Sequence, residues 1–464
     1  MTEQTAVQGA LEFERARVPE NRTKGAGSFW GLFSSEHVAG TELLIGPLFV
    51  VHGVAAFDVL VGLVIGNILA VLSWRYMTVP IAIRHRLTLY FQLEKIGGNR
   101  LVSIYNLANG LLWCFLAGAM ISVSASAVSI FFNIPAPSLN AILPESGLMV
   151  LLVVLVGLVI SIVASKGYDA VSRFANVAAP WMVVMFIALG LSTLPDLGIH
   201  SFADFWEKAD TVIWKGTNQP GFVKFTIWHV IFFSWFGNMA WHIGMGDLTI
   251  FRYAKKARYG FAPISGMFLG HYIAWICAGM LYAVQLQADP SNTTVSPGPM
   301  AMKTMGYAGV LLVLISGWTT ANPIIYRSGL AFQSINSKWP RARVTLIAGA
   351  IASFIGIFPG LSMKFMNFAA LYGLILMPMG AVIFADHFLM KKAGMQRFFA
   401  ERRNISFFVP PALAWLLTLS LCLVMNLRFG LQIFFLGLPG WFIAVIIYMG
   451  LSYLYQRKRS HAIA

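Results

Sequence analysis

Apolar residues in this chain run in long unbroken blocks. They neither alternate along a strand nor return once per helical turn. A helix needs about 20 mostly apolar residues to cross a bilayer. Apolar runs of that order lie at 38–57, 59–74, 101–144, 146–165, 174–195, 225–246, 259–288, 304–326, 344–363, 365–385, 404–427 and 429–456. An open sheet cannot satisfy its backbone in hydrocarbon, and the polar alternation of a membrane barrel is absent from these runs. The pattern therefore predicts an all-α polytopic membrane protein of about twelve transmembrane helices.

Composition strengthens this reading. The chain is 58% hydrophobic and 11% charged, with a mean hydropathy of +0.72, whereas soluble domains carry about 25% charged residues. Cys114, Cys277 and Cys422 lie inside apolar runs without metal-ligand spacing, as buried small hydrophobes do. The net charge of +15 would suit nucleic acid, but its distribution argues against that partner. With the N-terminus in the cytoplasm, 27 of the 33 Lys and Arg residues fall in cytoplasmic tails and loops, as the positive-inside rule requires. The expected location is the cell membrane, with both termini cytoplasmic and no cleavable signal.

Two predicted spans are interrupted. In span 1, Ile45-Gly46-Pro47-Leu48 sets a proline about eight residues into the apolar run, where it removes a helix hydrogen bond. In span 6, Phe236-Gly237-Asn238-Met239-Ala240-Trp241-His242 brings glycine and polar groups to membrane depth. Interrupted helices at matching places in two halves point to inverted repeats around a site at the midplane. The expected organisation is a tail at 1–28, a first repeat of five spans at 29–195 and an outer loop at 196–224. A second repeat of five follows at 225–390, then spans 11 and 12 at 391–456 and a tail at 457–464. Within 84–97, basic residues mixed with apolar ones predict an amphipathic surface helix; Phe202, Phe205, Trp206 and Trp214 suggest an interfacial segment in the outer loop.

Polar groups inside spans are the candidates for function, because an ionised side chain at the bilayer centre costs at least about 2.5–3.5 kcal/mol. Glu42 is the one acid well inside a predicted span. It would bind a cationic or hydrogen-bond-donating solute, carry a coupling proton, or pair structurally with another helix. Ser316, Thr319 and Thr320 share one helix face. Their hydroxyls suit sodium, or bond back into their own helix. Trp113, Trp235, Trp241 and His242 could wall a flat solute by stacking. Asp247 with Arg252, and Asp386-His387, read as ion pairs latching an inner gate. No nucleophile elbow, phosphate-cradling loop or metal-spaced cluster appears, so an enzyme and a bound cofactor are not expected.

In the order and spacing of these marks, the chain resembles the nucleobase–cation symporters, the family of cytosine, purine, hydantoin and allantoin permeases. The marks are GTELLIGPLFVVHGV in span 1, Gly110-Leu111-Leu112-Trp113 in span 3 and Asp247-Leu248-Thr249-Ile250-Phe251-Arg252-Tyr253 after span 6. SGWTTAN in span 8 and Ala385-Asp386-His387-Phe388 closing span 10 complete them. The resemblance implies the leucine-transporter fold, a 5+5 inverted repeat with two additional C-terminal helices. It also implies a substrate site between spans 1, 6, 3 and 8, with Trp113 as stacking residue. Sodium would be held by Ser316, Thr319 and Thr320, with backbone carbonyls near Ile45. Three positions depart from the family: Ala117 stands where many members carry glutamine, the span-8 asparagine is displaced to Asn322, and Asn238 replaces an aromatic near the span-6 break unless Trp241 takes that role. Since the altered positions read the solute, the mechanism carries over further than the substrate.

The expectation is therefore a monomeric secondary active transporter importing a small nitrogen-containing heterocycle, a nucleobase, hydantoin or vitamin-like compound. The solute would sit among Glu42, Trp113, Ala117, Asn238, Trp241 and Asn322. Coupling would use Na+, or H+ in its place, with Asp247 and Arg252 as gating residues. The alternatives are a carrier of positively charged amines recognised by Glu42, and a passive facilitator or channel on the same scaffold.

Overall fold

A computed structural model describes residues 12–135, 142, 146–293, 295, 297–336, 338–360 and 365–461. Among them the regular structure is helical, apart from the isolated bridges Lys24–Ala254 and Ala55–Lys215. Nine helices are long and apolar enough to cross a membrane. In chain order these are α3 (Ala56–His85), α5 (Asn99–Phe131), α6 (Gly147–Ser165), α7 (Tyr168–Ser192), α11 (Ala257–Ala288), α13 (Tyr307–Ile335), α15 (Ala370–Phe388, part of a longer helix), α17 (Val409–Phe429) and α18 (Ile433–Arg457). The other three predicted spans are shorter helical pieces. Span 1 is α1 (Gly27–His37) followed by α2 (Glu42–Val51), span 6 is α9 (Ile227–Phe236) followed by α10 (Leu248–Phe251), and span 9 is the 16-residue α14 (Arg341–Gly356). The non-spanning helices are α4 (Leu89–Gly97), α8 (Phe202–Lys208), α12 (Pro297–Met305) and α16 (Phe399–Arg402). The result is a polytopic, all-helical membrane protein.

Span 1 differs from its expected form in both extent and break. It begins at Gly27, eleven residues before the apolar run, and unwinds over 38–41 while Pro47 stays inside α2. Residues before a proline avoid helical geometry because the ring meets their Cβ; Gly46 has none, so α2 passes through. The chain unwinds at Gly40 instead, where a side chain would strike Ser316 and Val123.

Each interrupted span rests on a glycine-bearing helix of the opposite half. A Cβ on Gly266 or Gly270 of α11 would collide with Phe33 and His37 of α1, and one on Gly46 with the α11 backbone around Trp275–Gly279. Likewise Gly62 and Gly66 of α3 seat α9 at Val230, Ile231 and Ser234. Small residues allow such close approach in membranes, where van der Waals packing replaces the hydrophobic drive. Asn67 ties the group together, accepting from Ser234 Oγ (2.5 Å) and donating to the Met267 carbonyl (2.7 Å). The long helices α5 and α13 run against each other through Ser124 Oγ to Leu314 O and Ser328 Oγ to Gly110 O, both 2.9 Å.

One face carries the N-terminal segment. Val18 N donates to Arg86 O (3.0 Å), Lys24 N to Tyr253 O (2.6 Å), and Lys24 Nζ pairs with Asp169 at 2.6 Å. Arg15 pairs with Glu94 and donates to Ser334 O (3.2 Å). The connections after spans 2, 4, 6 and 8 therefore lie together, as an even count of crossings between them demands. The predicted amphipathic segment is α4, but its Leu89, Tyr90, Leu93 and Ile96 are buried, not laid on a membrane surface. In the loop between spans 5 and 6 Phe202 is exposed, whereas Trp214 packs over Gly279. The three cysteines are free and buried.

Candidate functional site

The breaks of spans 1 and 6 face a central cavity lined by residues of both spans. Span 1 supplies Glu36, His37, Thr41 and Glu42; span 6 supplies Asn238 and Trp241. In span 6 the chain stays coiled through irregular turns from Gly237 to Asp247, with Gly244 N donating to Met239 O (2.7 Å) and Gly246 N to Ala240 O (3.0 Å). Met245 holds φ +64°, uncommon for a residue with a side chain, and sustained here by complete burial.

Glu36 and Trp241 connect the cavity to an ionic cluster behind one wall. Arg327, fully buried in α13, pairs with Glu36 through both terminal nitrogens, the second at 3.2 Å, and with Asp247 Oδ1 at 2.6 Å. Trp241 Nε1 donates to Glu36 Oε1 (3.1 Å), and Trp74 Nε1 to Asp247 Oδ2 (2.7 Å). Tyr90 Oη reaches the Arg327 carbonyl (3.0 Å) and ties α4 beneath the cluster. Charges buried this deeply persist only when paired and hydrogen-bonded.

The other wall is built around Glu42. Trp275 Nε1 donates to its Oε2, Thr41 Oγ1 stands 3.5 Å from Oε1, and His271 Nε2 stands 4.0 Å from the same oxygen. His271 stacks on Trp275 with ring centroids 4.3 Å apart and lies 4.9 Å from the His37 ring. His271 falls within a stretch of π-helix, Ser265–Tyr272, a distortion that often marks functional sites.

The structure sorts the predicted substrate residues. Glu42, Asn238 and Trp241 line the cavity. Trp113 stands behind Trp241, edge to face at 5.3 Å, and also contacts Tyr372 at 4.8 Å. Ala117 is buried in α5, while its neighbours Leu116 and Met120 reach the cavity. Asn322 points away: with its amide turned to satisfy both partners, it donates to Ile160 O (3.0 Å) and accepts from Trp318 Nε1 (3.2 Å). Trp235 donates to Ser73 Oγ (2.9 Å) and His242 bonds the Trp235 carbonyl (2.8 Å), so both brace the break instead of walling a solute.

The expected Asp247–Arg252 latch is not formed. Asp247 takes Arg327 as its partner, and Arg252 donates to Thr249 O (3.0 Å), Phe13 O (2.9 Å) and the hydroxyls of Tyr253 (2.9 Å) and Tyr326 (3.3 Å). A guanidinium with four oxygen partners needs no carboxylate. Asp386 lies 3.7 Å from Arg397, while His387 bonds His85 at 2.8 Å.

The span-8 hydroxyls lie beside the span-1 break, next to Glu36 and Gly40. Ser316 Oγ donates to Val313 O (2.9 Å); Thr319 and Thr320 each donate to Ser316 O (3.0 Å). Their hydrogens are thus occupied and their lone pairs free, which fits an oxygen-seeking cation. The nearby backbone belongs to the break, with Thr320 Oγ1 3.5 Å from Glu36 O and Gly40 against Ser316. Ile45, named for this role from the sequence, lies in a helical turn of α2 and lines the cavity. Among the described residues no group of three His, Cys, Asp or Glu could hold a metal.

Glu36, Arg327, His271 and Trp275 were missed by sequence reasoning. Ser34-Ser35-Glu36-His37 reads as a polar lead-in to span 1, and Arg327 as the first base of a cytoplasmic loop. The available signal was the pairing of an acid and a base, each just outside an apolar run.

No protein-family model and no curated relative matches the chain. Solved structures do. Mhp1, a nucleobase-cation-symport-1 family transporter in a closed conformation with bromovinylhydantoin bound, superposes with TM-score 0.72 at 14% identity, over 95% of this chain and 94% of that one. Inward-facing Mhp1 gives 0.71 at 13% identity, over 97% and 94%. A substrate-bound, outward-open Na+-coupled sialic acid symporter gives 0.68 at 13% identity, over 97% and 95%. The chain therefore has the leucine-transporter fold, in keeping with the resemblance read from its sequence, and its neighbours in structure are membrane transporters, not enzymes.

Proposed function

We propose that this protein is a secondary active transporter that imports a small nitrogen-containing, heterocyclic solute by cation-coupled alternating access, with both termini in the cytoplasm. The observation carrying this reading is the cavity between the two helix breaks. It sits inside a helical membrane bundle and gathers a carboxylate, an amide and indole rings from both halves of the fold. Unpaired backbone and ionisable groups at membrane depth persist where they serve a ligand or an ion path. The coupling cation in this reading is sodium, held by Ser316, Thr319 and Thr320 and by carbonyls of the span-1 break. The charge bias of the loops supports the orientation.

Thermal unfolding of the purified protein against nucleobases, hydantoins, vitamins and small amines, in sodium and in potassium, tests the proposal. A native-state ligand stabilises by mass action. A sodium-dependent rise with one heterocycle is expected. Silence across the panel, with sodium itself inert, would remove both the cation site and the solute class.

A further inference from the structure

Three carboxylates and one guanidinium meet around the cavity. Glu36 and Asp247 share Arg327, which leaves one excess negative charge in that cluster. Glu42 adds a second when it is ionised. Among the described residues its nearest basic side chain is His271, at 4.0 Å, and a neutral imidazole supplies no charge. A buried carboxylate without a cation is costly unless something positive arrives. The coupling ion at the span-8 hydroxyls answers for one charge; the other stands on the cavity wall.

What surrounds Glu42 indicates what would neutralise it. Its neighbours are ring faces and edges, Trp275 and Phe233 among them with centroids 5.7 Å apart and Trp241 across the cavity. Such rings attract an organic cation through their quadrupoles. Asn238 is 9% exposed and lines the same space, and among the described residues the one side-chain bond it makes is a 3.7 Å donation to Met267 Sδ. Its carbonyl oxygen is therefore available to an N–H donor. His271 Nδ1 is likewise buried without a partner.

We propose that the transported solute is a small planar organic cation, an amidinium, a guanidinium or a cationic azine, whose charge is met by Glu42 and whose N–H group is met by Asn238. This rests on the transporter reading and makes the solute's positive charge, not a ring nitrogen, the feature that the site selects.

The test pairs cations with neutral compounds of the same shape, benzamidine with benzamide and 1-methylnicotinamide with nicotinamide. Each is titrated against the thermal unfolding of the intact protein in sodium. Stabilisation by the cations is expected, at least tenfold weaker with their neutral partners. It should be abolished in Glu42→Gln and partly kept in Glu42→Asp; both variants should melt near the parent without ligand, which separates recognition from folding. Equal stabilisation by neutral partners, or cation shifts that survive Glu42→Gln, would overturn the charge assignment. A neutral heterocycle stabilising the protein while every cation is silent would overturn it too, and would leave the transporter reading intact. Silence of both classes would overturn the site itself.

Discussion

Glu36 and Glu42 stand on either side of the same helix break, both buried, yet the fold treats them in opposite ways. Glu36 is saturated: a guanidinium grips both its oxygens and an indole N–H adds a third bond. Glu42 has an indole N–H and a distant imidazole. The Glu36 wall is structural because Arg327 and indole N–H groups already hold both carboxylates there. The Glu42 wall is where a guest has something to add. Burial alone does not separate the two, since both are almost fully enclosed; the partners do.

Breaking the saturated wall should cost most. Arg327→Met leaves Glu36 and Asp247 without a counter-charge and should destabilise the fold by about 3–5 kcal/mol, read as a sharp loss of detergent-stable protein. Combining it with Glu36→Gln and Asp247→Asn should recover most of that loss, because an all-neutral cluster has no stranded charge. Asp247→Asn alone should cost about 1–3 kcal/mol, since Arg327 keeps Glu36 and Trp74 loses an ionic acceptor. Glu42→Gln should change stability by about 1 kcal/mol or less while removing ligand-induced stabilisation; a large loss of stability there would erase the contrast. Smallest of all, Lys24→Ala should shift unfolding by about 0.2–1 kcal/mol, because its pair with Asp169 lies at the surface.

Much of the architecture was legible in the sequence because apolar block length is a direct report on bilayer thickness. The helical, multi-span class follows from such blocks, and the span-6 interruption from the glycine and polar residues at Gly237–His242. The extent of span 1 was not legible: hydropathy counts Ser34, Ser35, Glu36 and His37 as water-facing, whereas all four are buried, Glu36 against Arg327 of α13 and His37 against His271 of α11. Arg327 was misread for the same reason. A window average cannot see that a base in one span has an acid waiting in another. Asn322 shows the converse, a polar residue inside a span whose partners, Ile160 and Trp318, lie away from the cavity. Proline was a poor guide to the span-1 break because Gly46 relieves the clash that would have ended the helix.

Arg327 holds the end of α1 and the start of α10 with one side chain. A shared clasp of this kind removes independence: neither half-helix can swing clear while the other stays docked without stranding a carboxylate. Moving either half-helix away from α13 therefore costs an ion pair, and one side chain sets the position of both.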